Sequence, residues 1–313
     1  MKLEKTVLLT GATGFVGSAV ASEIKTKELR LLGRKDPRFT EALFCPAEIS
    51  PLSDYATYLE QVDVVIHAAA RVHVMTDTAV DPLDEYRVVN TSGTLNFARQ
   101  AAASGVKRFI FISSVKVNGE ATSENQAFRY DNTPRPEDYY GISKAEAEAG
   151  LWQIAADTKM EVVIIRPPLV YGPGVKANFA AMLMLAKKNL PLPLGAIHNK
   201  RSLVALDNLV DLIVTCIDHP KAANHTFLVS DDQDVSTTEL LQMMTHAAGK
   251  KPRLIPVPVS WLKLAGKLTG KQAVVDRLCG NLQVDISHTK KTLGWKPPIT
   301  VEEGIARCFA ESE

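Results

Sequence analysis

The chain is poor in cysteine: four residues, Cys45, Cys216, Cys279 and Cys308, stand far apart among 313. None forms a Cys-x-x-Cys pair or a Cys/His cluster. That excludes a zinc-ligand set and a disulfide framework, and it leaves reduced, buried thiols in a cytoplasmic protein as the reading. Charge of one sign is lacking too. Lys and Arg number 36 against 35 Asp and Glu, a formal net charge of +1, so no global field draws the chain to nucleic acid. No uncharged apolar run is long enough for membrane insertion. The apolar stretch around Trp261 is interrupted by Lys263, Gly266 and Lys267 and reads as an amphipathic surface or interface helix. Val7-Leu8-Leu9 ends at once in a Gly-rich turn, as a buried strand does and a signal peptide does not. Internal repeats and low-complexity segments are absent.

What is present begins with strand–helix alternation. Thr6–Leu9, Leu29–Leu32, Ala42–Cys45, Val62–Ala68, Phe109–Ser113 and Val162–Arg166 read as strands. Ser18–Ile24, Asp84–Ala103 and Tyr139–Ala156 read as helices between them. Apolar, β-branched strands alternating with helices imply an α/β fold with a doubly wound parallel sheet, whose ligands bind at the carboxyl ends of the strands. After Arg166, Pro167, Pro168, Pro173, Pro191 and Pro193 punctuate the chain, which argues against a regular sheet layer there. Strand patterning returns at Ser202–Leu206 and Thr226–Val229, and the tail from Thr238 is helical. The expected organisation is a dinucleotide-binding domain over residues 1–170, rejoined by about 201–235. A smaller substrate lobe is expected from 171–200 and 236–313.

Gly11-x-x-Gly14-x-x-Gly17 follows a strand and opens a helix. Such a turn lets backbone approach a pyrophosphate, and the helix N-terminus offers amide donors to it. Thr13, Phe15 and Val16 share that turn. An acid usually ends the second strand of an NAD reader, on the ribose hydroxyls. Here the strand ends Gly33-Arg34. A guanidinium suits a 2′-phosphate, so NADP(H) is favoured over NAD(H). Glu48 and Ile49, after the third strand, are expected at the adenine. His67, Ala68, Ala69, Ala70, Asn90 and Pro167 are expected at the nicotinamide end, with His67 a hydrogen-bonded strand-end histidine rather than a catalytic group.

Tyr140 and Lys144 lie four apart, on one face of a helix. An ammonium beside a phenol favours the phenolate, so the Tyr140 pKa is expected to fall towards neutrality. That pair, with Ser114 upstream, is an apparatus for proton exchange with an alcohol during hydride transfer.

These residues resemble the extended short-chain dehydrogenase/reductase family. The Gly triplet, His67-Ala-Ala-Ala70, Asn90-Thr-Ser-Gly93, Ser113-Ser114-Val-Lys-Val-Asn-Gly119, Tyr140-Gly-Ile-Ser-Lys144, Arg166-Pro-Pro-Leu-Val-Tyr-Gly172 and Arg201-Ser-Leu-Val-Ala-Leu-Asp207 occur in the family's order. The resemblance implies a Rossmann-type domain, a C-terminal substrate lobe and a homodimer formed through the helices at 84–103 and 139–156. Within the family the chain is most similar to the nucleotide-sugar branch. That implies Ser114, Tyr140 and Lys144 as catalytic residues, and Ser114, Lys116, Asn178, Arg201 and Arg277 as substrate contacts, with Arg201 on the UDP diphosphate. Three positions depart from the branch's epimerases: Leu169 for Asn, Asn118 for Tyr, and Gly33-Arg34 for the acidic NAD anchor. Leu282 matches a position held by a bulky Tyr in glucose-restricted epimerases. Arg34 tips the expectation to an NADPH-linked reductase of a UDP-4-keto-(6-deoxy)-N-acetylhexosamine in surface polysaccharide synthesis. The alternatives are a UDP-glucose or UDP-N-acetylglucosamine 4-epimerase and, in another class, a non-catalytic dinucleotide sensor.

Overall fold

Strands that are apolar on both faces need helices on both faces, and the chain supplies them. The computed structural model describes residues 3–39, 41–72, 81–124 and 126–310. Its strands are β1 (Leu3–Thr10), β2 (Thr26–Gly33), β3 (Ala42–Pro46), β4 (Val64–His67), β5 (Arg108–Ile112), β6 (Glu161–Arg166), β7 (Leu169–Tyr171), β8 (Arg201–Ala205), β9 (His225–Leu228) and β10 (Asp234–Val235). Seven of them form one parallel sheet in the order β3-β2-β1-β4-β5-β6-β9. This is the expected doubly wound α/β fold. The order reverses between β1 and β4, and a crevice opens at the carboxyl ends there. Thr10 lies level with His67, and His67 with Phe111, so the ends of β1, β4 and β5 meet that crevice together.

Side-chain alternation divides the core. Val7 and Leu9 pack with Leu31, Ile66 and Ile110 on one face of the sheet. Leu8 packs with Leu32, Val65, Phe109 and Phe111 on the other. The flanking helices of this half are α1 (Phe15–Glu23), α2 (Ala56–Leu59), α3 (Pro82–Tyr86), α4 (Thr94–Ala103) and α5 (Tyr139–Asp157). The expected single helix over 84–103 is instead α3, a π-helical segment (Arg87–Gly93) and α4 in succession. The wider turn carries the buried Asn90, which is tied to Arg71 and Ser143.

β7, β8 and β10 form a second sheet in the order β10-β8-β7. The proline-rich run therefore does contain a strand. β7 is three residues long and sits at a sheet edge, where flanking prolines remove no ladder bond. Alternation makes β8 a shared wall: Val204 joins the large sheet's core, while Leu203 and Ala205 join a smaller core with Tyr171, Phe179, Leu240 and Ile305. α6 (Ala177–Lys188), α8 (Thr237–Ala247) and α12 (Val301–Ala310) frame that smaller core; α7 (Leu206–Asp218) lies against α1, and α9 (Val259–Leu268), α10 (Gln272–Cys279) and α11 (Ser287–Leu293) complete the chain. Two stretches depart from the expected division. Arg201–Ala205 pairs within the small sheet rather than the large one, and Leu282, Val284, Ile286, Leu293 and Trp295 pack into the large sheet's core.

A buried ion pair ties α5 to β6. Arg166 Nη2 lies 2.5 Å from Glu148 Oε2, and both side chains are buried. Ser113 Oγ donates to Glu148 Oε1 at 2.5 Å, and Arg166 Nη1 donates to Asn118 Oδ1 at 3.1 Å. Glu148→Ala would leave Arg166 buried without its counter-charge, and we expect a loss of about 3–5 kcal/mol of unfolding free energy. Arg87→Ala, at the half-exposed, solvent-screened pair Arg87–Glu146, should cost far less. Urea denaturation of the two variants checks the contrast, and equal costs would refute it.

Candidate active site

A cavity of about 580 Å³ opens at the β1/β4 switch point, lined by the Gly11–Gly17 turn, Arg34, Glu48, Ala68–Arg71, Ser114, Tyr140, Lys144 and Pro167. The glycine turn is built by close approach. Gly11 has φ +79°, and a Cβ there would stand 2.7 Å from the Ala68 carbonyl carbon. A Cβ at Gly17 would stand 2.2 Å from Gly11 O, so α1 can press against the end of β1 because that position is bare. Gly14 N donates to Gly11 O at 2.9 Å, closing the turn that aims α1's first amides at the cavity. This cradle, bare at its three glycines, fits a dinucleotide's pyrophosphate.

Arg34 and Glu48 face each other at the rim. Their closest approach is 3.9 Å, and both are largely exposed. Ile49 lines the cavity beside them.

α5 positions the tyrosine and lysine. Asp138 caps it, accepting from Gly141 N at 2.6 Å. Tyr140, Lys144 and Glu148 then follow at successive four-residue steps along one face. Lys144 is 1% exposed. Its Nζ donates to Ile112 O at 2.8 Å and stands 4.2 Å from the Phe111 ring centroid and 5.9 Å from that of Tyr140. Burial pulls its ammonium down to about 7, against the opposing pull of Glu148. The Tyr140 hydroxyl is pushed up, first by burial and then by Asp138 and Tyr86. That reverses the expected fall towards neutrality: desolvation dominates, and the nearby Asp138 and Tyr86 push the same way. Ser114 Oγ accepts from Lys116 N at 3.2 Å, which leaves its hydrogen free to be donated into the cavity.

Several expected contacts lie elsewhere. His67 is fully buried: its ring bridges Thr10 Oγ1 (2.8 Å) and Thr94 Oγ1 (2.9 Å) among Phe97, Phe109 and Phe111. Burial, then Lys144, pulls its pKa down to about 3, so the ring is neutral. It is a core residue rather than a cavity wall. Asn90 is likewise withheld from the cavity by its bonds to Arg71 and Ser143. Lys116 is held by Glu120 and Asp138. Arg201 Nη1 is taken up by the carbonyls of Arg277 (2.9 Å) and Gly280 (3.3 Å) at the end of α10, and Asn178 and Arg277 are exposed. None of these last four lines the cavity. Arg71 does, with its guanidinium 5.6 Å from the Tyr86 ring centroid. Its signal was its place directly after His67-Ala-Ala-Ala70, four residues past the carboxyl end of β4.

Residues 7–230 match the family described as NAD dependent epimerase/dehydratase. The chain is 54% identical over 322 residues to a protein of Vibrio cholerae named UDP-glucose 4-epimerase, covering 99% of this chain and 97% of that one. Its fold is similar to that of a UDP-glucose 4-epimerase from Thermotoga maritima solved with UDP-glucose (TM-score 0.76, 20% identity, 98% of this chain and 99% of that one). It is also similar to that of a UDP-glucuronic acid 4-epimerase from Bacillus cereus solved with NAD (TM-score 0.75, 19% identity, 96% of each chain).

The lowered Lys144 pKa has a measurable consequence. Lys144 titrates at about 7 in the folded chain and at 10.5 as an ordinary lysine. Between those values the unfolded chain binds more protons, so stability rises with pH across the window, and below it the full cost of the buried charge is present. Lys144→Met lacks this dependence. The wild-type stability should therefore climb relative to the variant from pH 7 to pH 9 in urea unfolding. Parallel profiles would contradict the assignment.

Proposed function

The chain belongs to the NAD dependent epimerase/dehydratase family, and from that premise we propose that it inverts C4 of a UDP-hexose, with UDP-glucose as the first substrate to test. The observation that carries this reading is 54% identity over 99% of the chain to a protein named for that reaction, together with Ser114, Tyr140 and Lys144 gathered at one dinucleotide-sized cavity. It displaces the net 4-keto-sugar reduction that Arg34 suggested from sequence. Both readings share the same residues, and the close relative supports inversion.

A bound nicotinamide dinucleotide would supply the reversible hydride acceptor that turns a C4 alcohol into a ketone and back. Gly11–Gly17 and the N-terminus of α1 would hold its pyrophosphate, with Arg34 and Glu48 at the adenosine end. Tyr140 would take the C4 hydroxyl proton and return it after the sugar has presented its other face. Lys144 would meet the negative charge that forms on Tyr140, since one Nζ hydrogen is spent on Ile112 O and the others remain free. Ser114 would donate to the same sugar oxygen. The raised Tyr140 pKa keeps the phenol protonated in the free protein; its proton would have to leave to solvent before Tyr140 could act as base, a loss that the positive charge of a bound oxidised nicotinamide would favour.

The test is to incubate the protein with UDP-glucose and NAD⁺ or NADP⁺ and to follow C4 inversion by proton NMR. We expect UDP-galactose to accumulate to an equilibrium without net dinucleotide reduction. Tyr140→Phe should lower turnover by ~10²–10⁴-fold. Stoichiometric NADPH consumption on a UDP-4-keto-sugar, with no inversion of UDP-glucose, would return the reading to the reductase.

The dinucleotide preference turns on Arg34. Its pairing with Glu48 is long and exposed, weak enough for a 2′-phosphate to displace. We expect Arg34→Ala to weaken NADP⁺ binding about tenfold or more and NAD⁺ binding little. Calorimetric titration of both dinucleotides reads this directly, and equal losses for the two would remove Arg34 as a phosphate reader.

A further inference from the structure

α9 is amphipathic in the wrong sense for a helix that merely covers a core. Its buried side is Gly266, which sits against α10 so closely that a Cβ there would stand 2.7 Å from Val275 Cγ2. Its apolar stripe points outward. Trp261 is 70% exposed, Leu264 59% and Leu268 78%, at the i, i+3, i+7 spacing of a single helix face. Ile255, just before the helix, and Val274, on α10, are exposed as well. Large exposed apolar side chains aligned in one stripe mark an interaction surface.

Charge identifies what the surface meets. The whole chain is nearly balanced, at +1. Residues 250–276 are not: Lys250, Lys251, Arg253, Lys263, Lys267 and Lys271 are all exposed, and Asp276 is the one acid among them. Lys267 flanks the apolar stripe and Lys263, four residues earlier, lies further round the same exposed helix; long side chains there can extend to a charged plane while their stems lie on apolar surface. A second copy of the chain, docked stripe to stripe, would bring two clusters of the same sign together. A Trp- and Leu-bearing face edged by lysines fits a deformable, negatively charged sheet of headgroups.

We infer that the α9–α10 hairpin is a docking surface for an anionic lipid bilayer, on which α9 lies flat with Trp261, Leu264 and Leu268 at the headgroup–acyl boundary. No described helix is long and apolar enough to cross a membrane, so the attachment is peripheral. The hairpin is joined to the rest of the fold through Arg201, whose guanidinium holds the carbonyls of Arg277 and Gly280. Docking therefore orients the whole molecule. This inference does not depend on which sugar is turned over.

The test is co-sedimentation of the full chain with vesicles of phosphatidylglycerol and phosphatidylcholine in equal parts, and with vesicles of phosphatidylcholine alone. Binding is expected to be at least about tenfold tighter to the anionic vesicles and to weaken with added salt. Brominated lipid should quench Trp261 fluorescence. The triple variant Trp261→Ser/Leu264→Ser/Leu268→Ser and the charge variant Lys263→Glu/Lys267→Glu/Lys271→Glu should each lose binding at least about tenfold. Circular dichroism and turnover of soluble substrate should be unchanged in both. Failure to bind anionic vesicles, or undiminished binding by either variant, overturns the inference. So does light scattering that shows the apolar variant breaking a dimer in lipid-free solution while the wild type ignores vesicles.

Discussion

The arrangement of the site rests on one buried interaction, the Glu148–Arg166 pair between α5 and β6. Two opposite charges removed from water are tolerable only when each finds its partner at close range and the remaining donors and acceptors are filled. Ser113 and Asn118 do that filling. The pair therefore fixes more than two residues. It sets the rotation of α5 against the sheet, and with it the direction in which Lys144 and Tyr140 project. It also anchors the β5 end, where Ser113 precedes Ser114. Asn118 is drawn into this network through Arg166 and the Arg129 carbonyl.

The same burial that fixes the geometry sets its electrostatics. Lys144 lies among Phe111, Ile112 and the aromatic layer around His67, and its ammonium is weakened accordingly. Tyr140 is held on its protonated side. Away from the site the physics is reversed. α9 leaves apolar side chains in water and surrounds them with lysines, an arrangement that is costly unless something covers it.

Much of this could be read in the chain. Strands with no polar face required a parallel sheet covered on both sides, and Gly11, Gly14 and Gly17 in strand–turn–helix context marked the switch point. The four-residue steps from Tyr140 through Lys144 belong to any helix. Cavity residues local to those motifs, from Thr13 to Ser114, were accessible for the same reason: a strand's carboxyl end leads directly into the crevice.

What needed the third dimension was everything set by neighbours distant in sequence. Whether His67 faces a ligand or a core depends on Thr10, Thr94 and three phenylalanines, none of them adjacent to it. Arg201's engagement by α10 carbonyls, Asn90's by Arg71 and Ser143, and the membership of residues 282–295 in the large core all arise from chain returns that no local pattern encodes. The sign of the Tyr140 pKa shift is of the same kind. Spacing alone gives the distance between a phenol and an ammonium on one helix. How much water each retains is decided by the strands, loops and helices packed around them, and desolvation depends on all of those at once. Local periodicity thus determined the elements and the motif that joins them, while burial, a property of the assembled fold, decided which of the marked residues reach the cavity and in what protonation state.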